Sequence, residues 1–530
     1  MTTTATPPAA APEPTPEKSD KLDRQLLLIA GVVVLGGIMS ILDVTVVSVA
    51  LKTFETEFNA TTADVAWTMT AYTLALATVI PLTGWAADRF GTKRLYLVAV
   101  TLFTIGSVLC ALAPDLTWLI IFRVVQGLGG GMLMPLGMTI LTRAAGPERL
   151  GRVMAVMGIP MLLGPIFGPI LGGWLIDIAS WHWIFLINLP IGIIGLVYAS
   201  KVLAPDDVEP SETFDFIGML LLSPGLALFL YGISSIPGAR QEEGTAFTTE
   251  VVATMALGAV LIAAFVPWAL RKANIHPLMD LRLLRNKNLT VALITMSFFA
   301  IAFFGASLLF PLYFQRVRGE EALTAGLLLA PQGVGAMLTM PLAGLLADRI
   351  GPGKIVMTAL AVIAFAMGLF TQIDDTTSYA YMLGALFIMG LGMGGAMMPI
   401  MTAALATLNN HSIARGSTLL NIQQQVAASI GTAIFATLLT SQMQDKTSIQ
   451  VADALEEAGD DPAAQAGVLA EFGLDPAGLE ALLAKVLPDM ASSFASVFTV
   501  ATVLVALCLV PAFFLPRRKV HASAEPIVLH

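Results

Sequence analysis

Residues Pro81 to Arg94 read PLTGWAADRFGTKR, and the core of this stretch returns as PLAGLLADRIG from Pro341 to Gly351. Aligned without gaps, Pro81 meets Pro341, Leu82 Leu342, Gly84 Gly344, Ala87 Ala347, Asp88 Asp348, Arg89 Arg349 and Gly91 Gly351. The chain is written twice. In each copy a long apolar run ends in a charged, helix-breaking turn and another apolar run follows at once, as when two membrane helices share a short loop on the basic side of a bilayer. Repeats of this kind mark membrane proteins whose two halves rock about a central site.

Composition agrees. Of 530 residues, 56% are hydrophobic and 12% charged, and the mean hydropathy is +0.80, whereas a soluble domain is about 25% charged. The fold class is therefore an all-α polytopic membrane protein. The net charge of -9 says little until it is located. Residues 1–24 are rich in Thr, Ala, Pro and acids, lack a basic n-region and a cleavage site, and read as a disordered cytoplasmic tail. Cys110 and Cys508 each lie inside an apolar run, as buried thiols with no disulfide or metal role.

A membrane helix needs about 20 largely apolar residues. That rule gives fourteen spans, starting near Leu26, Ala66, Leu95, Leu116, Val153, Trp183, Phe216, Val251, Leu289, Thr324, Ile355, Tyr379, Ser417 and Phe494. They divide into a six-helix bundle over 25–203, two extra spans with linkers over 204–288, and a second six-helix bundle over 289–516, followed by a cytoplasmic tail, 517–530. With the N-terminus inside, 21 of the 28 Lys and Arg fall on the cytoplasmic side and six outside, with Arg123 left within a helix. This bias places both termini in the cytoplasm. The long outer segment 442–492 carries ten acids against Lys446 and Lys485. Asp461-Pro462 and Asp475-Pro476 each pair an N-cap with Pro at the first helical position, which predicts two short amphipathic helices in a solvated acidic cap.

Ionisable groups inside a membrane are expensive and mark function by default. Two lie well inside the spans, Asp43 and Arg123. Asp43 is seven residues before the expected outer end of span one at Ala50, and Arg123 seven after the outer start of span four at Leu116, so each is about 10 Å deep. They are expected to share a cavity. Burial favours the neutral acid while a nearby guanidinium favours the carboxylate, so protonation of Asp43 depends on what else occupies the site. Arg123 stays charged. A carboxylate that exchanges its cationic partner for a proton or a cationic substrate is the minimum apparatus of a proton antiporter. A permanent ion pair fixing two helices is the alternative.

The pattern G-x-x-x-D-R-x-G-x-K-R, with Gly84, Asp88, Arg89, Gly91, Lys93 and Arg94 in place and Asp348 and Arg349 in the second copy, resembles the signature loop of the major facilitator superfamily. That resemblance implies two pseudo-symmetric six-helix bundles and a loop that latches one end state of a rocking cycle. The Asp88 carboxylate near a helix terminus is expected to bond backbone N–H groups, and Arg89, Lys93 and Arg94 to pair with acids of the same face or to anchor topology. LDVTVVSVAL, from Leu42 to Leu51, is similar to a motif of the fourteen-helix drug:proton antiporter branch, with Ser48 where the branch has Asn. RVVQGLGGG, from Arg123 to Gly131, is similar to a fourth-helix motif whose equivalents of Arg123 and Gln126 are implicated in proton transfer. GPIFGPILGGW sets Gly164, Gly168 and Gly172 on one helix face beside Gly173, a spacing that lets helices approach closely. With Pro165 and Pro169 it resembles the antiporter motif of exporters, although Ala155 stands where the family has a further Gly. WHWIFLINLPIG, from Trp181 to Gly192, is similar to another family stretch, with His182 in place of Arg.

Spans nine to thirteen hold no charged residue in their apolar cores, and Gln424-Gln425 stands where the family often has Arg-Gln. Candidates for the substrate cavity are Tyr72, Tyr313, Gln315, Gln332, Asn421 and Gln425, within flexible Met and Phe walls that suit varied apolar ligands. The expected function is proton-coupled export of amphipathic, hydrophobic or cationic drugs across the cell membrane. The alternative is a dedicated exporter of an endogenous lipid, siderophore or antibiotic. A membrane-embedded enzyme or sensor is disfavoured, because the sequence carries no phosphate-binding loop, no H-E-x-x-H and no Cys or His cluster at metal spacing. No cofactor beyond the proton gradient, no metal and no nucleic acid are expected. The expected partners are small amphipathic substrates, protons and the lipid bilayer, and the expected working unit is a monomer.

Overall fold

The computed structural model describes residues 23–146, 149–205, 213–243, 245, 247–408, 410–459, 461–473 and 476–517. Most of the N-terminal tail, most of the C-terminal tail and Asp475 lie outside them. The first half comprises α1 (Arg24–Phe58), α2 (Thr62–Phe90), α3 (Thr92–Ala111), α4 (Leu116–Ala145), α5 (Leu150–Ile178), α6 (His182–Leu186) and α7 (Asn188–Val202). The insertion is α8 (Phe216–Glu243) and α9 (Thr249–Leu270). The second half comprises α10 (Lys287–Arg316), α11 (Ala322–Leu328), α12 (Ala330–Ile350), α13 (Pro352–Leu369), α14 (Tyr379–Leu405) and α15 (Asn410–Gln444). It continues with α16 (Thr447–Ala458), α17 (Pro462–Glu471), α18 (Pro476–Leu483) and α19 (Val486–Ala512). Among the described residues, thirteen helices or helix pairs are long and apolar enough to cross a membrane. The 29-residue α5 is a fourteenth of spanning length.

Polar residues between the apolar runs start these helices. Asp23 accepts from the Leu26 N–H at 2.7 Å, Asp115 from that of Trp118 at 3.0 Å, and Thr61 forms a reciprocal box with Asp64, each satisfying an orphan donor of a first turn. The repeated turns stop and restart the chain identically. Gly91 and Gly351 both take φ +91°, and each donates its N–H to the carbonyl four residues back, Ala87 at 3.0 Å and Ala347 at 3.1 Å. Only glycine adopts that backbone without strain.

Packing repeats as the sequence does. In the first half α4 packs on α2 and α3, α1 on α5, and α7 on α1 and α3; in the second, α14 packs on α12 and α13, α10 on α15, and α19 on α10 and α13. The halves meet through two equivalent contacts, α2 on α15 and α12 on α5. Large apolar side chains such as Val98, Trp174, Val260 and Phe365 are more than half exposed, a surface that lipid covers. The inserted α8 lies against both α2 and α15, donating from Ser223 Oγ to the Thr78 carbonyl at 2.8 Å and from Arg240 Nη2 to Ser441 Oγ at 3.1 Å. Asp215 ties the insertion together, accepting from Trp268 Nε1, Asn274 Nδ2 and the Leu278 N–H at 2.8–3.1 Å.

Three details depart from the sequence reading. α1 runs on to Phe58, two turns past the expected end at Ala50, because Lys52, Thr53, Glu55 and Thr56 are polar but helix-compatible. The acidic segment holds three short helices instead of two: α17 and α18 start at Pro462 and Pro476, and α16 precedes them without a proline signal. Buried Ile449 and Val451 and a 2.5 Å bond from Ser448 Oγ to Asp489 seat α16 beside α19. Finally, the sixth and tenth spans are each made of two helices, broken at Ile187 and Leu329.

Because both repeated glycines sit at φ +91°, Gly91→Ala and Gly351→Ala are each expected to destabilise the protein by about 1–3 kcal/mol. Thermal unfolding in detergent measures this, with Gly238→Ala, which has open space around it, as the reference.

Candidate functional site

α1 and α4 bring Asp43 and Arg123 together as a buried pair. Asp43 is 2% exposed, and Arg123 and Gln126 are 0% exposed. Arg123 Nη1 donates to Asp43 Oδ2 at 2.5 Å and to Gln126 Oε1 at 2.8 Å, and Gln126 Nε2 donates to Asp43 Oδ1 at 2.6 Å. The three side chains form a closed ring of charge-assisted hydrogen bonds. Arg123 Nε donates to the Thr68 carbonyl of α2 at 2.9 Å. The guanidinium lies over the Tyr72 ring, 4.2 Å from its centre, with Phe185 5.9 Å away. Asn188, first residue of α7, donates to Ser107 Oγ at 3.0 Å and reaches Asp43 Oδ1 at 3.5 Å, while Ser107 donates to the Phe185 carbonyl at 2.9 Å. Toward the α1 C-terminus, Val47, Phe54, Leu119, Trp181 and Phe185 pack into an apolar cluster of their own.

Between the halves lies a cavity of about 280 Å³. Five methionines line it (Met134, Met138, Met157, Met398 and Met401) with Phe304, Ser40, Thr45, Asn421, Gln424 and Gln425, and no charged residue does so among the described ones. Asp43 and Arg123 therefore share a site but not the cavity, which corrects the expectation that both would face it. α1 turns Ser40, Ile41 and Val44 to the cavity and Asp43 to the opposite side, because a buried charge gains more from Arg123 and Gln126 than from an apolar wall.

Of the six cavity candidates, Asn421 and Gln425 line the space and four stand elsewhere. Tyr72 is buried behind the wall. Tyr313 donates its hydroxyl to the Asp374 carbonyl at 2.6 Å in the α13–α14 connection, Gln315 is exposed at the end of α10, and Gln332 donates to Met393 Sδ at 2.9 Å. Polar residues in apolar runs satisfy themselves on whichever neighbour is nearest, and sequence does not show which.

At the signature-turn end the halves are locked. Asp88 pairs with Arg143 at 3.3 Å and, across the interface, with Arg415 of α15 at 3.5 Å. Its repeat mate Asp348 crosses the other way and accepts from the Gly151 N–H at 2.8 Å and from Arg152 through its N–H at 3.3 Å and Nε at 3.1 Å. Asp348 thus binds backbone N–H groups at the start of α5, the role also expected of Asp88. A Cβ at Gly84 would meet Thr418 Oγ1 at 3.1 Å, and one at Gly344 the Gly151 carbonyl at 2.7 Å, so the signature glycines admit the opposite half. Lys93 donates to the Leu203 carbonyl at 2.7 Å, Arg349 and Arg94 are exposed, and Arg89 is half-buried. Beside them Asp23 pairs with Arg149 at 3.0 Å; the Leu26 N–H first, and then Arg149, hold its carboxyl below the usual carboxylate range.

The sequence model described as Major Facilitator Superfamily matches residues 33–432. The chain belongs to the major facilitator superfamily. Within that superfamily it is 48% identical over 514 residues to the multidrug resistance protein B homolog of Mycobacterium tuberculosis, covering 96% of this chain and 93% of the relative. It is 32% identical to the multidrug export protein EmrB of Haemophilus influenzae, over 77% of this chain and 79% of that one. Among solved structures, it is similar to the human organic anion transporter MFSD10 (TM-score 0.56, 15% identity, covering 91% of this chain and 100% of that one). It is also similar to the proton:xylose symporter XylE (TM-score 0.54, 15% identity, covering 90% and 94%). At such identities these two show the fold alone.

The glycine-rich face of this major facilitator chain has a definite partner. A Cβ at Gly164 would strike Ile41, one at Gly168 would strike Thr45, and one at Gly172 would meet Val46 at 3.2 Å. Thr45 Oγ1 also donates to the Gly164 carbonyl at 3.2 Å. The face packs on α1, the helix of Asp43. Gly173 has open space, and the side chains of Pro165 and Pro169 lie outside the described residues. His182 stacks on Trp181 with ring centres 3.9 Å apart. Both cysteines are free and buried. Asn188 and Ser107 went unassigned from sequence: Asn188 stood inside the quoted WHWIFLINLPIG stretch, whereas Ser107 is one hydroxyl among many in apolar helices.

Arg123→Ala leaves the Asp43 carboxylate buried without its counter-charge and is expected to cost about 3–5 kcal/mol, read as a lowered unfolding temperature in detergent. For the lock, spin labels at exposed Phe90 and Ile350, which end α2 and α12, are expected to move apart when Asp88→Asn and Asp348→Asn are combined. An unchanged distance distribution would show that these carboxylates do not hold the halves together.

Proposed function

We propose that the chain is a proton-driven antiporter of the cell membrane that exports amphipathic, hydrophobic or cationic drugs. The observation that carries this reading is the ring of Asp43, Arg123 and Gln126, sealed from solvent, one helix face away from a methionine-lined cavity between two halves. The names of the relatives, multidrug resistance and multidrug export proteins, support small-molecule efflux as the task. The charge bias supports a cytoplasmic signature-turn end, and on that reading the locks there hold the halves together on the side of the cell interior.

The chemistry runs on one proton. Both Asp43 oxygens accept hydrogen bonds, Oδ2 from Arg123 and Oδ1 from Gln126. A proton arriving from outside neutralises Asp43 and releases the guanidinium, the glycine-packed α1–α5 pair transmits the change, and the Asp88 and Asp348 locks open on the cytoplasmic side. Substrate entry then returns the proton to the cytoplasm. A membrane potential adds about 2.3 kcal/mol per charge moved per 100 mV. The cavity wall offers dispersion and polarizable sulfur in place of fixed charge, which suits a broad set of apolar cations and neutral amphipaths. No cofactor enters this cycle, and one chain suffices for it.

Asp43→Asn keeps a hydrogen-bonding side chain in the ring but removes the titrating group. It is expected to abolish proton-driven dye movement in everted vesicles while the protein still inserts and folds. Native transport by this variant would remove Asp43 from the coupling step.

A further inference from the structure

The cavity and the buried ion pair are separate spaces, and one side chain stands between them. Tyr72 of α2 is 1% exposed. Its ring lies 4.2 Å from the Arg123 guanidinium carbon, and at the other end its hydroxyl lies 3.2 Å from Ser40 Oγ. Ser40 lines the cavity, as does Gly130. A Cβ on Gly130 would collide with the Tyr72 hydroxyl, so the wall at this point is only a glycine backbone thick. One end of a rigid ring is therefore directly behind a glycine of the cavity wall, and its face is on the guanidinium that holds Asp43.

Since the cavity is lined by no charged side chain among the described residues, a substrate seated in it does not meet the carboxylate directly. We propose that Tyr72 is the positioning residue that carries cavity occupancy to Asp43. The proposal rests on the proton-driven reading above and supplies its route. A substrate packed against Ser40 and Gly130 holds the hydroxyl where it rests on them and the ring on Arg123. The guanidinium then stays on Asp43, which favours the ionised carboxylate, and the proton leaves. With the cavity empty, the hydroxyl moves off Gly130 toward the cavity, the ring leaves the guanidinium, and Asp43 takes a proton. The only bond made or broken is the carboxyl O–H, the proton coming from and returning to water. The charged and titratable groups facing Asp43 are Arg123 of α4, Tyr72 of α2 and Cys110 of α3. Gln126 and, from α7, Asn188 are uncharged partners.

The test uses the full-length chain in nanodiscs, titrated with the amphipathic cation tetraphenylphosphonium across a range of pH, with binding followed by calorimetry and proton release by a pH dye. The native chain is expected to release protons on binding and Asp43→Asn none. Tyr72→Leu is expected to bind the probe but to release about tenfold fewer protons per bound cation, the scale of a lost desolvated cation–π contact, with a flattened pH dependence of binding. Tyr72→Phe, which keeps the ring, is expected to restore most of the release. A folded Tyr72→Leu with native release and native pH dependence overturns the proposal. Should that variant fail to fold, Gly130→Ala decides: its methyl displaces the hydroxyl from its rest position and with it the ring from Arg123, so release is expected to fall, and native release overturns the proposal. A native chain that binds the probe without releasing protons, or does not bind it, overturns the proton-driven export reading instead.

Discussion

A carboxylate deep among apolar helices has to be neutral or partnered, and here it is partnered. Asp43 sits against Arg123 and Gln126 with almost no exposure, and the surrounding architecture follows from holding that arrangement. α4 must approach α1 and α2 closely enough for the guanidinium to reach both Asp43 and the Thr68 carbonyl. The glycines of α4 make this possible: a Cβ at Gly127 would meet the Tyr72 carbonyl at 2.6 Å, and one at Gly131 the Leu76 carbonyl at 2.8 Å. On the far side of α1, Gly164, Gly168 and Gly172 let α5 lie against Ile41, Thr45 and Val46. The helix that carries the acid is thus packed closely on α5, and the helix that carries the guanidinium closely on α2.

The two halves share a fold but not a chemistry. Every major helix contact of the first half has its counterpart in the second, and the repeated turns even share a backbone angle. Yet the ion pair belongs to the first half alone, and the second contributes Met398, Met401, Asn421, Gln424 and Gln425 to the cavity. The locks at the signature-turn end are equivalent in position and reach different residues of the opposite half. Asp88 takes guanidinium groups from Arg143 and Arg415, while Asp348 takes backbone N–H groups at the start of α5 as well as Arg152. Charge pairs of this type hold only while the halves are together, which makes them suited to a state that must be left again.

Much of the architecture was legible in the chain itself. Apolar runs of membrane length, interrupted by turns with Gly, Asp and Arg, specify spanning helices whatever surrounds them, because lipid leaves the backbone no other partner. The signature repeat located the two glycine turns and the two acids, Asp88 and Asp348, that reach the opposite half. Asp43, Arg123 and Gln126 stood out because ionisable and amide groups in such runs are costly. The third helix of the acidic segment escaped notice because α16 is held by contacts with α19 and not by a local start signal.

Sequence by itself determined the membrane class, the doubled design and the identity of the acid and the arginine that lie well inside the spans, since each depends on local composition and spacing. Tertiary structure alone decided which side of α1 faces the cavity, that Tyr313, Gln315 and Gln332 lie away from it, and that Tyr72 stands between the cavity and the pair. The physical reason is that a helix in a bundle is apolar on every face, so its pattern carries no direction. Only packing against neighbours fixes which side chains meet.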